Sequence, residues 1–297
     1  MKDQLTEFGY AAGWRLVRML PLPVARALFT TGADRAARGN GPGVQRLRGN
    51  LRQVVGPQLS EAELDELVRA GLRSYARYWM EAFRLPSLSR QDHLSTFVLE
   101  DEAALHAMMA EGKGVILALP HVGNWDAAAA WVVSHGYPLI TVAERLKPEK
   151  LYRRFMAYRE RLGMEVLPLT GGPRAPLDVL GEKAQEGYAV ALLADRDLTR
   201  TGVDVEFFGG RTKMPPGPAL LAIRTGAPLV AADIWFDERV TRARMRRVEP
   251  VTEGPLDVRV RQTTQRLADT FAIGIADHPQ DWHMLQKVWL GRSATRV

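Results

Sequence analysis

The residues best equipped for chemistry lie in Ala118-Leu-Pro-His-Val-Gly-Asn-Trp-Asp126. An unperturbed histidine titrates near neutrality, which suits His121 to taking a proton from a hydroxyl as a general base. Asp126, five residues on, offers the kind of carboxylate that fixes a histidine tautomer and stabilises the imidazolium formed in a reaction. Asp195 is a second candidate for that role, because it ends an apolar run and can reach the same histidine. On spacing alone, a loop histidine and a helix-start acid complementing the dipole are the plainer assignments.

Position changes that balance. Val115 to Leu119 is a short apolar run between Gly114 and Pro120, the pattern of a buried strand. His121 therefore falls just past a strand end, where ligands bind in open α/β sheets, and Asp126 falls in the first turn of the following helix. Gly123 permits the sharp turn between them. Further strands are expected at Leu139 to Ala143, Glu165 to Leu169 and Ala189 to Ala194, with a hairpin from Leu229 to Phe236 and Val240 to Val248. Helices are expected at Trp125 to His135, Pro148 to Leu162, Pro173 to Glu186, Pro218 to Arg224 and Leu256 to Ala276.

The first ninety residues read as helices only. Leu5, Phe8, Ala12, Leu16 and Met19 recur at helical spacing. Two further helices, Val24 to Ala37 and Val44 to Val55, flank the breaker Gly39-Asn-Gly-Pro-Gly43. Ser60 with Glu63 forms a capping box that opens a long helix stopped by Pro86. Strands alternating with helices predict an α/β fold: a central, mostly parallel sheet flanked by helices, with the N-terminal helical region packed on it. The expected organisation is one α/β domain over residues 1–297, with a helical region at 1–90 and a sheet-containing catalytic part at 91–297.

Bulk properties narrow the partners. With no cysteine, thiolate chemistry and disulfides are excluded, as is cysteine-ligated metal. The net charge of +6 favours anionic partners, and much of the excess sits within the first 60 residues. Arg15, Arg18 and Arg26 interrupt the apolar stretch from Tyr10 to Phe29, so no membrane-spanning helix or signal peptide is expected there. An amphipathic basic helix lying on an anionic membrane surface is expected instead. The expected location is the cytoplasmic face of the plasma membrane, peripherally bound. The remaining histidines, His93, His106, His135, His278 and His283, show no ligand spacing, so no metal and no resident cofactor are expected. Arg242, Arg244 and Arg246 share one face of a strand, expected to be solvated or to touch anionic lipid.

His-x-x-x-x-Asp after a strand resembles the signature of the glycerolipid and lysophospholipid acyltransferase superfamily. The block His121-Val-Gly-Asn-Trp-Asp126 is similar to the branch containing the lipid A late acyltransferases. Three more blocks resemble that branch in order and spacing. One is Glu144-Arg-Leu-Lys-Pro148 with Phe155, Arg159 and Leu162-Gly163. The next is Asp195-Arg-Asp197 with Gly202-Val203 and Phe207-Phe208-Gly209. The last runs from Pro215-Pro-Gly-Pro-Ala219 through Ala222-Ile-Arg-Thr-Gly-Ala-Pro228. The resemblance spans roughly residues 5 to 290. It departs at the start, where lipid A enzymes carry a spanning helix. Gly-Ala-Asp-Arg at 32 to 35 and the Glu-Arg-Leu-Lys-Pro block look more like the phosphatidylinositol mannoside acyltransferases.

That resemblance implies transfer of a fatty acyl group from acyl-CoA to a mannose hydroxyl of a glycolipid, with His121 as base. It implies that an acid at Asp195 is a relay partner, so that role stays divided between Asp126 and Asp195. It also raises Asn124, Glu144, Arg145, Lys147, Arg159, Arg196 and Asp197 as substrate or acyl-donor residues, the cations facing phosphates. No Gly-x-Ser-x-Gly elbow is present to form an acyl-enzyme. Backbone N–H groups at Gly123 or Asn124 are the expected oxyanion donors. The alternatives are a lipid A precursor or lysophospholipid acceptor, a metal-dependent hydrolase built on His121, Asp126, Asp195 and Asp197, and a basic nucleic-acid-binding protein. The last lacks a recognisable module or a basic stripe interleaved with aromatics.

Overall fold

The computed structural model describes residues 16–145, 147–197 and 201–289. Most of the first expected helix, including Leu5, Phe8, Ala12 and Arg15, lies outside the described residues, which begin with a helical turn at 16–19. Helices α1 (Leu22–Gly39) and α2 (Pro42–Val55) follow, separated at Asn40, which adopts a left-handed conformation. Helix α3 (Glu61–Arg84) opens on the Ser60–Glu63 capping box, with both reciprocal hydrogen bonds present. Such a cap contributes about 1 kcal/mol and fixes where the helix begins. Pro86 then diverts the chain into a single 3-10 turn at Leu85–Ser87.

Helix α4 (Arg90–Thr96), strand β1 (Phe97–Leu99) and helix α5 (Glu102–Ala110) come next, and the sequence reading left this stretch unassigned. Each is short: β1 has three residues, and α5 shows only Leu105 and Met109 on its buried face. The expected alternation then appears. It runs β2 (Val115–Leu119), α6 (Trp125–Ser134), β3 (Leu139–Ala143), α7 (Glu149–Arg161), β4 (Glu165–Pro168), α8 (Pro176–Gln185) and β5 (Ala189–Leu193). A separate two-stranded hairpin, β6 (Val203–Phe207) and β7 (Gly210–Met214), was not foreseen. Helix α9 (Gly217–Thr225), strands β8 (Leu229–Phe236) and β9 (Thr241–Arg247) and helix α10 (Leu256–Asp277) complete the chain order.

Seven strands form the main sheet in the order β1-β9-β8-β2-β5-β3-β4. All neighbours are parallel except β8 and β9, the predicted hairpin. β2 is buried at every position, as a strand covered on both faces must be. Helix α3 sends Tyr78 and Ala82 into the main core, followed by Leu85 just past its end, and its earlier turns join α1 and α2 around Leu47, Leu51 and Leu64. The arginine face of β9 is engaged rather than simply solvated: Arg242 pairs with Asp237, Arg244 with Glu100, and Arg246 with Asp233 and Asp277. Among the described residues, no helix is long and apolar enough to cross a membrane.

Candidate active site

Sheet order decides which carboxylate meets the imidazole. β2 and β5 are parallel neighbours with Leu119 opposite Leu193. Two residues beyond that pair, His121 and Asp195 leave the sheet side by side. His121 Nδ1 lies 2.5 Å from Asp195 Oδ1, and the His121 backbone N–H donates to Oδ2 at 2.9 Å. Trp282 donates its indole N–H to the same Oδ2 at 2.9 Å. Asp195 is completely buried, and His121 keeps 23% of its side-chain surface. Burial works against the Asp195 charge, but the adjacent imidazole and these three hydrogen bonds outweigh it and hold its pKa below the ordinary value. With Nδ1–H committed to the carboxylate, Nε2 is the nitrogen left to accept a proton.

Asp126 lies elsewhere. It is buried in the first turn of α6, where Oδ1 accepts from Arg159 Nε at 3.0 Å and Oδ2 from the Tyr78 hydroxyl at 3.0 Å. It thus ties α6 to α7 and α3 and makes no hydrogen bond to His121. Burial alone would weaken the Arg159 charge, but the Asp126 carboxylate more than offsets it and raises the guanidinium pKa. Asn124 is also fully used. Its side-chain oxygen caps α6 by accepting from the Ala127 N–H, and its amide donates to Glu81. Asn124 is fully buried, serves the helix start and does not line the cavity beside His121.

The turn itself is tightly enclosed. Gly123 has φ +52°, and a Cβ there would stand 2.7 Å from the Ile234 carbonyl oxygen, so only glycine fits. Its N–H donates to the Asp281 carbonyl, so it is not available as an oxyanion donor. Residues 121–123 run beside the C-terminal segment: His283 N–H donates to the His121 carbonyl, and Val122 bridges Trp282.

That segment supplies residues that sequence reasoning missed. Trp282 buttresses Asp195. His283 Nε2 lies 2.8 Å from Ser74 Oγ, whose hydroxyl donates to Asp281 Oδ1. The Ser74 hydrogen being committed, His283 donates from Nε2, and its Nδ1 is buried without a partner among the described residues. Burial, reinforced by the His121 charge, pushes the His283 pKa down to about 3, so the ring is neutral. No local signal marks Trp282 or His283, since both act only through contact with the distant β2 turn.

His121 stands at the edge of a cavity of about 520 Å³ bordered by Trp79, Trp125, Phe155, Arg159 and His283. Glu144 and Arg196 border it too, paired at 3.6 Å, because β3 lies beside β5 and both leave the sheet at this edge. Trp125, Arg159 and Leu193 also border a narrower apolar slot that continues beneath α6 toward Phe97, Leu105 and Trp131. The other predicted contacts fall outside. Arg145 is held by Glu149 and sits over Tyr152, and Lys147 is exposed beyond the cavity lining. Asp197 accepts from the Gly202 N–H at 2.9 Å.

This arrangement places a carboxylate-oriented imidazole beside a cavity that shares Trp125, Arg159 and Leu193 with a narrower apolar slot. Comparison with known proteins gives the family. Residues 2–291 match the family model described as bacterial lipid A biosynthesis acyltransferase. A phosphatidylinositol mannoside acyltransferase of Mycolicibacterium smegmatis is 50% identical over 287 residues, covering 97% of this chain and 92% of that protein. One from Mycobacterium tuberculosis is 49% identical over 287 residues, covering 96% and 89% respectively.

Proposed function

The chain belongs to the bacterial lipid A biosynthesis acyltransferase family and is an acyltransferase, and from that premise we propose that it moves a long acyl chain from acyl-CoA to a mannose hydroxyl of a phosphatidylinositol mannoside. The observation carrying this reading is an imidazole locked through Nδ1 to a buried carboxylate, at a cavity that shares Trp125, Arg159 and Leu193 with a neighbouring apolar slot. The names of the two relatives supply the acceptor.

His121 Nε2 takes the hydroxyl proton, and the oxygen adds to the thioester carbonyl carbon. The tetrahedral intermediate expels the CoA sulfur, which takes the proton back from the imidazolium. One ester forms, one thioester breaks, and the histidine ends neutral. Asp195 keeps the ring in the required tautomer and stabilises its cation. Asp126, through Arg159 and Tyr78, positions the α6 turn that carries His121. The slot beneath α6 takes the acyl chain, and the Glu144–Arg196 edge faces the polar substrate parts.

Membrane attachment is part of the same proposal. Leu16, Met19, Leu22, Val24 and Leu28 are all exposed, Met19 by 74%, on a segment that also exposes Arg26. Apolar side chains beside arginines suit an anionic bilayer surface.

Purified protein incubated with labelled long-chain acyl-CoA and, separately, a phosphatidylinositol mannoside, a lipid A precursor and a lysophospholipid tests the acceptor. The mannoside is expected to take the label. Preferential labelling of another acceptor, or release of free fatty acid alone, would overturn the assignment.

A further inference from the structure

We propose that Glu102, His106 and His135 form a binding site for one divalent transition-metal ion of the zinc class. The sequence reading found no ligand spacing among these histidines; the fold supplies it. Glu102 and His106 stand one turn apart on α5, and His135 caps the C-terminal end of α6. Glu102 Oε1 lies 3.0 Å from His106 Nε2 and 3.2 Å from His135 Nε2, and all three ligand atoms are within 4.8 Å of one another. Around tetrahedral zinc, with bonds near 2.0–2.1 Å, neighbouring ligand atoms stand about 3.3 Å apart. An ion therefore fits with small side-chain adjustments.

The outer ring nitrogens give a second, independent argument. His135 Nδ1 lies 3.0 Å from the Trp131 carbonyl oxygen, which can only accept, so Nδ1 carries the hydrogen. A neutral His135 then turns a bare lone pair at Nε2 toward the Glu102 carboxylate. Two electron-rich atoms at that separation are reconciled by a proton or by a metal ion between them. His106 Nδ1 lies 2.6 Å from the Tyr137 hydroxyl, which can take an Nδ1–H and leave Nε2 to ligate. Metal-bound histidines have this arrangement, with the outer nitrogen on a carbonyl or hydroxyl and the inner one on the ion. Two imidazoles and a carboxylate, partly open to solvent, match the donor preference of zinc with water in the fourth position.

The ion would fasten the first turn of α5 to the end of α6, at the sheet edge opposite His121. Both helices wall the apolar slot, through Leu105 and Trp131, and the His135 ring packs on Trp131 at 4.0 Å. The clasp would hold the closed end of that slot.

The test uses the untagged full chain, stripped with chelator, desalted and titrated with Zn²⁺ against a chromogenic competitor, with the melting temperature followed in parallel. One ion per chain and a raised melting temperature are expected. His106→Gln and Glu102→Gln, both at partly exposed positions, are expected to fold and to weaken binding by at least the ~10–100-fold that loss of an outer-sphere partner costs. Co²⁺ should give a tetrahedral visible spectrum in the parent and not in the variants. No stoichiometric uptake by the parent would mean that a proton fills the gap, and the proposal fails. Unchanged affinity in both variants would place the ion elsewhere and overturn it equally. Neither readout depends on acyl transfer.

Discussion

Two aspartates in this chain each sit within reach of the His121 turn, and their surroundings give them different work. Asp195 touches the imidazole and, among the described residues, accepts only from His121 and Trp282. Replacing it with asparagine puts an amide donor where an acceptor is required and favours the wrong tautomer. Asp195→Asn is therefore expected to lower turnover by roughly three to four orders of magnitude. Asp126→Asn acts on stability instead, because it leaves the buried Arg159 guanidinium without its counter-charge, at a cost of about 3–5 kcal/mol. Initial rates and thermal midpoints measured on both variants separate the two roles. A larger fall in turnover for the Asp126 variant, at equal melting temperature, would exchange the assignments.

At the scale of elements, apolar runs bounded by glycine or proline were legible. β2, β3 and β8 fall where the pattern of Val115–Leu119, Leu139–Ala143 and Leu229–Phe236 placed them, and β5 ends one residue short of the expected Ala189 to Ala194. So was the start of α3, because a capping box is local chemistry. For the partner of His121 the sequence offered Asp126 and Asp195 without a choice between them, since the choice depends on β5 pairing with β2 although β3 and β4 lie between them in the chain, which no local pattern encodes. The same holds for Trp282, brought to the site by a contact with Val122 160 residues earlier. β1 was missed because it has only three positions, and α5 because only Leu105 and Met109 mark its buried face. Arg18, expected to face lipid, donates from Nε to the Phe83 carbonyl, so its side chain helps dock the first described turn onto α3. Membrane attachment is better probed at the exposed apolar positions. The double replacement Leu16→Glu with Met19→Glu is expected to weaken partitioning into anionic vesicles by roughly tenfold or more, with the melting temperature unchanged. Sedimentation with such vesicles checks this; equal partitioning of parent and variant would remove residues 16–19 from the membrane contact.

For the whole molecule, the carboxylates pull stability in opposite directions with pH. Asp195 is held below its ordinary pKa, so its contribution is present above the unfolded value and is lost as pH falls through the folded one. Asp233 behaves oppositely. It lies on β8 beneath Gly274 of α10, so close that a Cβ on Gly274 would overlap its carboxyl. Burial pushes Asp233 up to about 6, against the pull of Arg246 and Arg244. Between the unfolded value near ~4 and that folded value, the folded chain holds the extra proton, so stability falls as pH rises through this window. Asp233→Asn is expected to exceed the parent at pH ~7.5 by on the order of 1–2 kcal/mol and to match it near pH ~4. Urea unfolding at the two pH values reads this difference directly, and a pH-independent gap would contradict it.

Direct acyl transfer from a thioester to a sugar hydroxyl needs His121 as its base. Its most direct test is the single-turnover rate of labelled acyl transfer from acyl-CoA to phosphatidylinositol mannoside by the parent and by His121→Ala, with acyl-CoA binding and melting temperature followed alongside. The prediction is a loss of ~10²–10⁴-fold or more in rate, with binding and folding intact. A variant that transfers within about tenfold of the parent, below that general-base range, would contradict it.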